Sequence, residues 1–205
     1  MNYIHKFIFN KAIIVAFMTI ILSDTQAQNF DYQILKNIST RRSPADNSFN
    51  KFMSNTAPYI SVGTPVLMFG IGWIEHDADL QKKSFEMGVS VAATVVETYA
   101  LKYIVKRTRP YITYPDLNPV ATEGTPSFPS GHTSGAFALA TSVSLNYPKW
   151  YVIVPSMTWA SLTGYSRMYL GVHYPTDVLA GAALGAGTAW ASWYVNKKWH
   201  KKIRK

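Results

Sequence analysis

Hydrophobic residues fall into long unbroken blocks along this chain, not into alternating positions. Ala57 to Ile74 and Val178 to Val195 are each eighteen residues without a charge. Thr133 to Pro148 and Trp150 to Tyr165 are uncharged and separated only by Lys149. Met87 to Leu101 is weaker and contains Glu97. None of the five alternates as a half-buried strand does, and all are long for strands, so the pattern predicts helices. The fold class is therefore all-α.

The blocks fit either bilayer spans or the buried helices of a soluble protein. Spans need about 20 apolar residues, and mean hydropathy is only −0.01. Two features favour the membrane. Gly181, Ala183, Gly185 and Gly187 in the last block suit close helix packing in lipid and weaken a soluble helix. Trp73, Trp150, Tyr151, Trp193 and Tyr194 stand near block ends, where interfacial aromatics belong. The expected architecture is a membrane-embedded helical bundle of five spans, or six if an N-terminal apolar segment is retained.

That segment reads as an export signal or an anchor. Lys6 and Lys11 precede an eleven-residue apolar run, Ala12 to Leu22, which is short for a span. Thr25 and Ala27 are small residues placed for cleavage after Ala27. Three regions follow: 1–27 as signal peptide or N-terminal anchor, 28–56 as a polar, exposed lead-in with one short amphipathic helix, and 57–205 as the helical bundle with a basic tail.

Charge refines the picture. The net charge of +9 falls to +3 without the six basic residues of Lys197 to Lys205. Such a tail fits the cytoplasmic flank of a membrane helix, and no basic stripe interleaved with aromatics occurs elsewhere, so nucleic acid is not an expected partner. The absence of cysteine excludes disulfides, thiolate metal sites and thiol catalysis. With the start of the bundle outside, the tail obeys the positive-inside rule. The loop carrying Lys102, Lys106, Arg107 and Arg109 violates it, so those cations need another purpose.

Three polar clusters then share one face: Lys102 with Arg109-Pro110, Pro129-Ser130-Gly131-His132, and Ser166-Arg167 with His173 and Asp177. Lys102, Arg109 and Arg167 offer three cations, and arginine presents a planar fork matched to phosphate oxygens. Ser130 and Gly131 start a helix, whose backbone N–H groups favour an anion. Asp177 reaches back to one nitrogen of His173 and frees the other to attack, while His132 stands ready to protonate a leaving oxygen. Taken singly, each piece has a plainer reading: a solvated basic flank, a serine cap on a helix, and a satisfied His–Asp pair. Tyr111, Tyr114 and Pro115 read as loop-shaping residues. The conjunction favours a phosphate site.

In order and spacing these clusters resemble the three-part signature of the type 2 phosphatidic acid phosphatase superfamily, with no departure between Lys102 and Asp177. The superfamily includes lipid phosphate phosphatases, soluble bacterial acid phosphatases and vanadium haloperoxidases. The resemblance implies an all-helical core, a phosphohistidine on His173, His132 as general acid and Asp177 as partner of His173. It also implies phosphate binding by Lys102, Arg109, Ser130, Gly131 and Arg167, with no metal and no cofactor.

Expected, then, is a multi-pass phosphatase of a bacterial inner membrane with its site facing the periplasm. A site at the bilayer surface meets lipid headgroups first. The expected substrates are undecaprenyl pyrophosphate, phosphatidic acid, phosphatidylglycerol phosphate or lipid A phosphate. A soluble periplasmic acid phosphatase and a non-catalytic phosphate- or phospholipid-binding membrane protein are the alternatives.

Overall fold

A computed structural model describes residues 24–203. Its helices are α1 (Asp24–Thr40), α2 (Pro44–Ile74), α3 (Ala78–Val105), the single turn α4 (Pro110–Thr113), α5 (Gly131–Asn146), α6 (Trp150–Tyr169) and α7 (Pro175–Ile203), with a 3-10 turn at Pro115–Leu117. No strand occurs among the described residues. The apolar run Ala12 to Leu22 lies outside them, and Ala27 falls in the first turn of α1.

Local chemistry sets the helix starts. Ser43 caps α2 by accepting from the Asp46 amide at 3.2 Å and donates to the Asp46 carboxylate at 2.6 Å, with Pro44 at the first helical position. Asp77 caps α3 by accepting from the Asp79 and Leu80 amides at 3.0 Å. Helix α3 stops where Lys106 turns left-handed (φ 52°) and its amide returns to the Lys102 carbonyl. Four of the five apolar blocks lie wholly within one long helix, Thr133 to Pro148 overruns α5 by Tyr147 and Pro148, and α2 extends upstream to Pro44.

Helix α5 is central and packs against α2, α3, α6 and α7. Its contact with α7 is backbone on backbone. A Cβ at Gly181 would stand 2.7 Å from the Ser130 carbonyl oxygen, and one at Gly185 would reach 2.8 Å from the Ala138 nitrogen and overlap the Ser134 carbonyl. Gly187 meets nothing within 4 Å. Two of the three glycines therefore face the contact, and the third does not.

Polarity is distributed as a bilayer requires. The interior buries Ser54, Ser61, Ser90, Thr94, Thr98, Thr133, Ser134 and Thr163, while Val66, Leu67, Val96, Ile104, Leu179 and Trp190 are exposed on the periphery. Water would drive the opposite arrangement. In lipid, small and hydroxylated residues pack between helices and apolar ones face the acyl chains. By length and composition alone, two helical stretches among the described residues qualify as spans, Pro44–Ile74 and Ala78–Thr113. The molecule is a membrane-embedded helical bundle.

The stretch before residue 57 departs from the expected exposed lead-in. Asp31, Leu35, Asn50, Met53 and Ser54 are buried. Arg42 donates to the Tyr169 and Leu117 carbonyls, each at 2.8 Å, and so ties the α1–α2 junction to the bundle. Asp31 and Ser54 are buried here because their polar partners, Arg107, Thr176 and Arg167, stand far along the chain, which local composition does not reveal.

Candidate active site

All three clusters meet at one end of the bundle, around the end of α3, the starts of α5 and α7, and the end of α6. Lys102 sits in the last turn of α3, is 5% exposed, and donates to the Pro126 carbonyl. Arg109 is 2% exposed just before α4. Its guanidinium donates to the carbonyls of Thr125 and Val172, each at 2.7 Å, and to Glu123 at 3.0 Å. Arg167, in the last turn of α6 and 3% exposed, donates to the Ser54 hydroxyl and to the other Glu123 oxygen. Two buried guanidinium groups thus converge on a single carboxylate. An anion-binding point exists here, and a side chain of the protein occupies it.

The chain reversal after α6 brings Arg167 and His173 together. Gly171 takes φ 78°, where a Cβ would stand 3.1 Å from Arg42 Nη2 and 3.3 Å from Pro119 Cα. A left-handed, crowded position of this kind selects glycine. Beyond it the His173 amide bonds the Arg167 carbonyl at 3.3 Å.

His173 is 1% exposed and has charged groups on both sides. Arg109 Nη1 lies 3.3 Å from Nε2, and Asp177 Oδ2 lies 3.5 Å from Nδ1. A guanidinium only donates, so Nε2 carries its lone pair and the proton sits on Nδ1, toward Asp177. Burial pushes the imidazole pKa down to about 3, against the pull of Asp177 and with Arg167 and Arg109 adding to the fall. A neutral imidazole with a free Nε2 is the form suited to nucleophilic attack.

Asp177 is fully buried and heavily held. Its Oδ2 accepts from the Ser127 hydroxyl at 2.5 Å and the Tyr174 amide at 3.0 Å, and its Oδ1 accepts from Arg107 at 2.6 Å. The expected Asp177–His173 pair is therefore a longer contact within a larger network. Ser130 opens α5, but its side chain does not cap the helix, which corrects the plain reading of that residue. Its hydroxyl shares a 2.8 Å bond with Thr133, and its amide donates to the Asp177 carbonyl at 3.1 Å. Gly131 and His132 follow in the first turn of α5. A cavity of about 240 Å³ counts Lys102, Glu123, Thr125, Gly131, His132 and His173 among its lining residues. Both histidines therefore face one space.

Sequence reasoning missed four participants. Glu123 bridges Arg109 and Arg167. Tyr111, expected only to shape a loop, brackets Glu123 by donating to its carbonyl at 2.8 Å and accepting from its amide at 3.2 Å. Arg107 joins the Asp177 network from the α3–α4 connection, and Asp31 joins it from α1. Arg107 was visible as a cation in a loop that broke the positive-inside rule. Asp31 gave no local signal.

Known proteins resemble this chain in sequence and fold. The chain is 28% identical to the undecaprenyl-diphosphatase BcrC of Bacillus subtilis, over 73% of this chain and 75% of that one. It is 31% identical to the lipid A 1-phosphatase of Porphyromonas gingivalis over 75% of this chain, and it spans only 33% of that longer protein. Among solved structures, LpxE of Aquifex aeolicus superposes with a TM-score of 0.70 at 26% identity, covering 80% of this chain and 94% of the other. The model of the PAP2 superfamily matches residues 83–201, more than half of the chain and a stretch that includes Lys102 to Asp177, so the chain belongs to the PAP2 superfamily.

Proposed function

We propose that this protein is a membrane phosphatase that hydrolyses a lipid phosphate or pyrophosphate through a phosphohistidine on His173. In this reading Lys102, Arg109, Arg167, Ser130 and the Gly131 amide cradle the phosphate. His173 Nε2 attacks phosphorus, and the bond from phosphorus to the lipid oxygen breaks. His132 protonates that oxygen as it leaves. The proton on Nδ1 stays toward Asp177, which stabilises the positive charge that develops on the ring. His132 then takes a proton from water, water attacks phosphorus, the N–P bond breaks and phosphate departs. The orientation proposed places this end at the periplasmic face of a bacterial inner membrane, with the basic tail inside.

The observation that carries the lipid reading is the mixed lining of the cavity. Beside the charged groups it is lined by Pro58 and Val62 of α2 and by Val91 and Val95 of α3. Val62 is 54% exposed and Val95 41%, so this wall is also bundle periphery. A headgroup at the histidines leaves its chain among these valines and the surrounding lipid. BcrC and the lipid A 1-phosphatase, which act on an undecaprenyl diphosphate and on lipid A by name, fit the same class.

The test is a phosphate-release panel in detergent with Val95→Trp beside the natural chain. Hydrolysis of undecaprenyl pyrophosphate and phosphatidic acid should fall about tenfold, the loss expected for obstructing an apolar subsite. Hydrolysis of p-nitrophenyl phosphate should stay within about twofold. Equal losses on both substrates would count against a lipid-specific path. A natural chain active only on the soluble ester would support a non-specific acid phosphatase instead.

Glu123 yields a second expectation. Its carboxylate and a phosphate compete for the same guanidinium forks. Glu123→Gln should therefore bind inorganic phosphate more tightly, by about tenfold, read as a lower inhibition constant. Weaker inhibition would mean that Glu123 supports the anion site and does not compete for it.

A further inference from the structure

Arg107 stands between Lys102 and Arg109, two residues before the latter, and bridges two fully buried carboxylates from different helices. Its Nη1 lies 2.6 Å from Asp177 Oδ1 on α7 and its Nη2 lies 2.8 Å from Asp31 Oδ2 on α1. The Tyr174 ring packs against the guanidinium with its centroid at 3.9 Å. Asp31 also accepts from the Thr176 amide at 3.0 Å and the Thr176 hydroxyl at 2.5 Å. Asp31 lies upstream of residues 83–201, the stretch matched to the superfamily. The N-terminal helix is thus joined to the carboxylate that faces His173 by charge-assisted bonds at every step.

We infer that Arg107 and Asp31 are positioning residues for the reaction, together setting the orientation and the basicity of Asp177. This rests on the phosphohistidine reading above. Orientation comes from Arg107, which pins Oδ1 and leaves Oδ2 on the side of His173. Basicity comes from the balance of charge. One guanidinium serves two buried carboxylates, so the trio carries a net negative charge beside the imidazole. Asp31 draws part of the Arg107 charge away from Asp177. Asp177 then keeps more of its pull on the Nδ1 proton and on the cationic phosphohistidine.

The two residues therefore push in opposite directions, which a purely structural role does not require. The groups facing Asp177 are His173, Ser127, Tyr174 and Arg107, with Lys102 and Arg109 contributing at longer range and Arg167 acting on His173. Loss of the Arg107 charge makes Asp177 easier to protonate, so the acid limb of the kcat profile moves up in pH. Loss of the Asp31 charge leaves Arg107 wholly on Asp177, so the acid limb moves down.

The experiment compares Arg107→Gln, Arg107→Lys and Asp31→Asn with the natural chain in detergent, on phosphatidic acid, from about pH 2 to 9, with brief exposure at the acid end so that the limb itself is read. Size exclusion and thermal melting report folding. For Arg107→Gln we expect kcat lowered about tenfold with KM within about twofold, and the acid limb raised by about one pH unit. Arg107→Lys keeps the charge and loses the fork, so its limb stays near the natural position. Asp31→Asn is nearly isosteric, with kcat down several-fold and the limb shifted to lower pH. Limbs that do not move, limbs that move together, or a rise in KM at constant kcat would each overturn the inference. If Arg107→Gln does not fold, Asp31→Asn decides alone by the direction of its shift. A natural chain that releases no phosphate would defeat the phosphatase reading itself, whereas an active one with unmoved variants defeats only this inference.

Discussion

His173→Ala should release phosphate at least about 10⁴-fold more slowly than the natural chain, on lipid and soluble substrates alike. The size follows from the role. Removing a covalent nucleophile deletes both chemical steps, since no phosphoenzyme forms and none is left to hydrolyse. His132→Ala should behave differently. A lipid alkoxide leaves poorly without a proton, so lipid phosphate hydrolysis should fall about 10²- to 10⁴-fold, the range of general acid catalysis. Nitrophenolate leaves well without one, so p-nitrophenyl phosphate should be cleaved far more nearly normally. Phosphate transfer from a labelled substrate onto His132→Ala, and none onto His173→Ala, would complete the assignment. Normal turnover by His173→Ala would refute the mechanism. Equal rescue of both variants by the activated ester would remove the distinction between nucleophile and acid.

Gly185→Ala should fail to assemble, although it adds one methyl group. Its Cβ would lie 2.8 Å from the Ala138 nitrogen and 2.9 Å from the Ser134 carbonyl carbon, and these are backbone atoms of α5 with no rotamer to change. Helices α5 and α7 would have to separate, and the loss of packing amounts to several kcal/mol, beyond the usual range for overpacking. The same movement would displace Ser130 and Asp177, whose backbones bond across that contact at 3.1 Å. Gly187→Ala, two residues on and in open space, is the control. It should melt at or slightly above the natural temperature, since alanine is the better helix former by about 1 kcal/mol. The measurement is the folded, monodisperse fraction after detergent extraction and its melting temperature. A Gly185→Ala protein as stable as Gly187→Ala would show that the two helices do not meet at this distance.

Much of the site was legible because its chemistry needs particular residue types at short range. The pair His173 and Asp177 is one helical turn apart, and Pro129 to His132 is a contiguous helix start. Lys102 and Arg109 are set by one turn of helix and a short loop. Glu123 and Asp31 were not legible. Each is a single acid in an unremarkable polar stretch, and each matters through partners far along the chain. Asp31 is 76 positions from Arg107, and Arg167 is 44 from Glu123. The lead-in was misread as exposed for the same reason, since polarity predicts solvent only where no distant partner compensates burial.

By itself the sequence determined that long uncharged blocks become helices, because backbone polar groups in an apolar setting must pair within the segment. It also singled out the candidates for phosphate chemistry, because an imidazole nucleophile and forked guanidinium cations come only from histidine and arginine. Tertiary structure alone decided what surrounds them. It seated Glu123 between two arginines, joined Asp31 to Asp177 through Arg107, and chose Gly181 and Gly185 over Gly187 for the helix contact. Those outcomes depend on the rotation and approach of whole helices, which arise from the sum of many weak packing contacts and leave no mark in any local pattern.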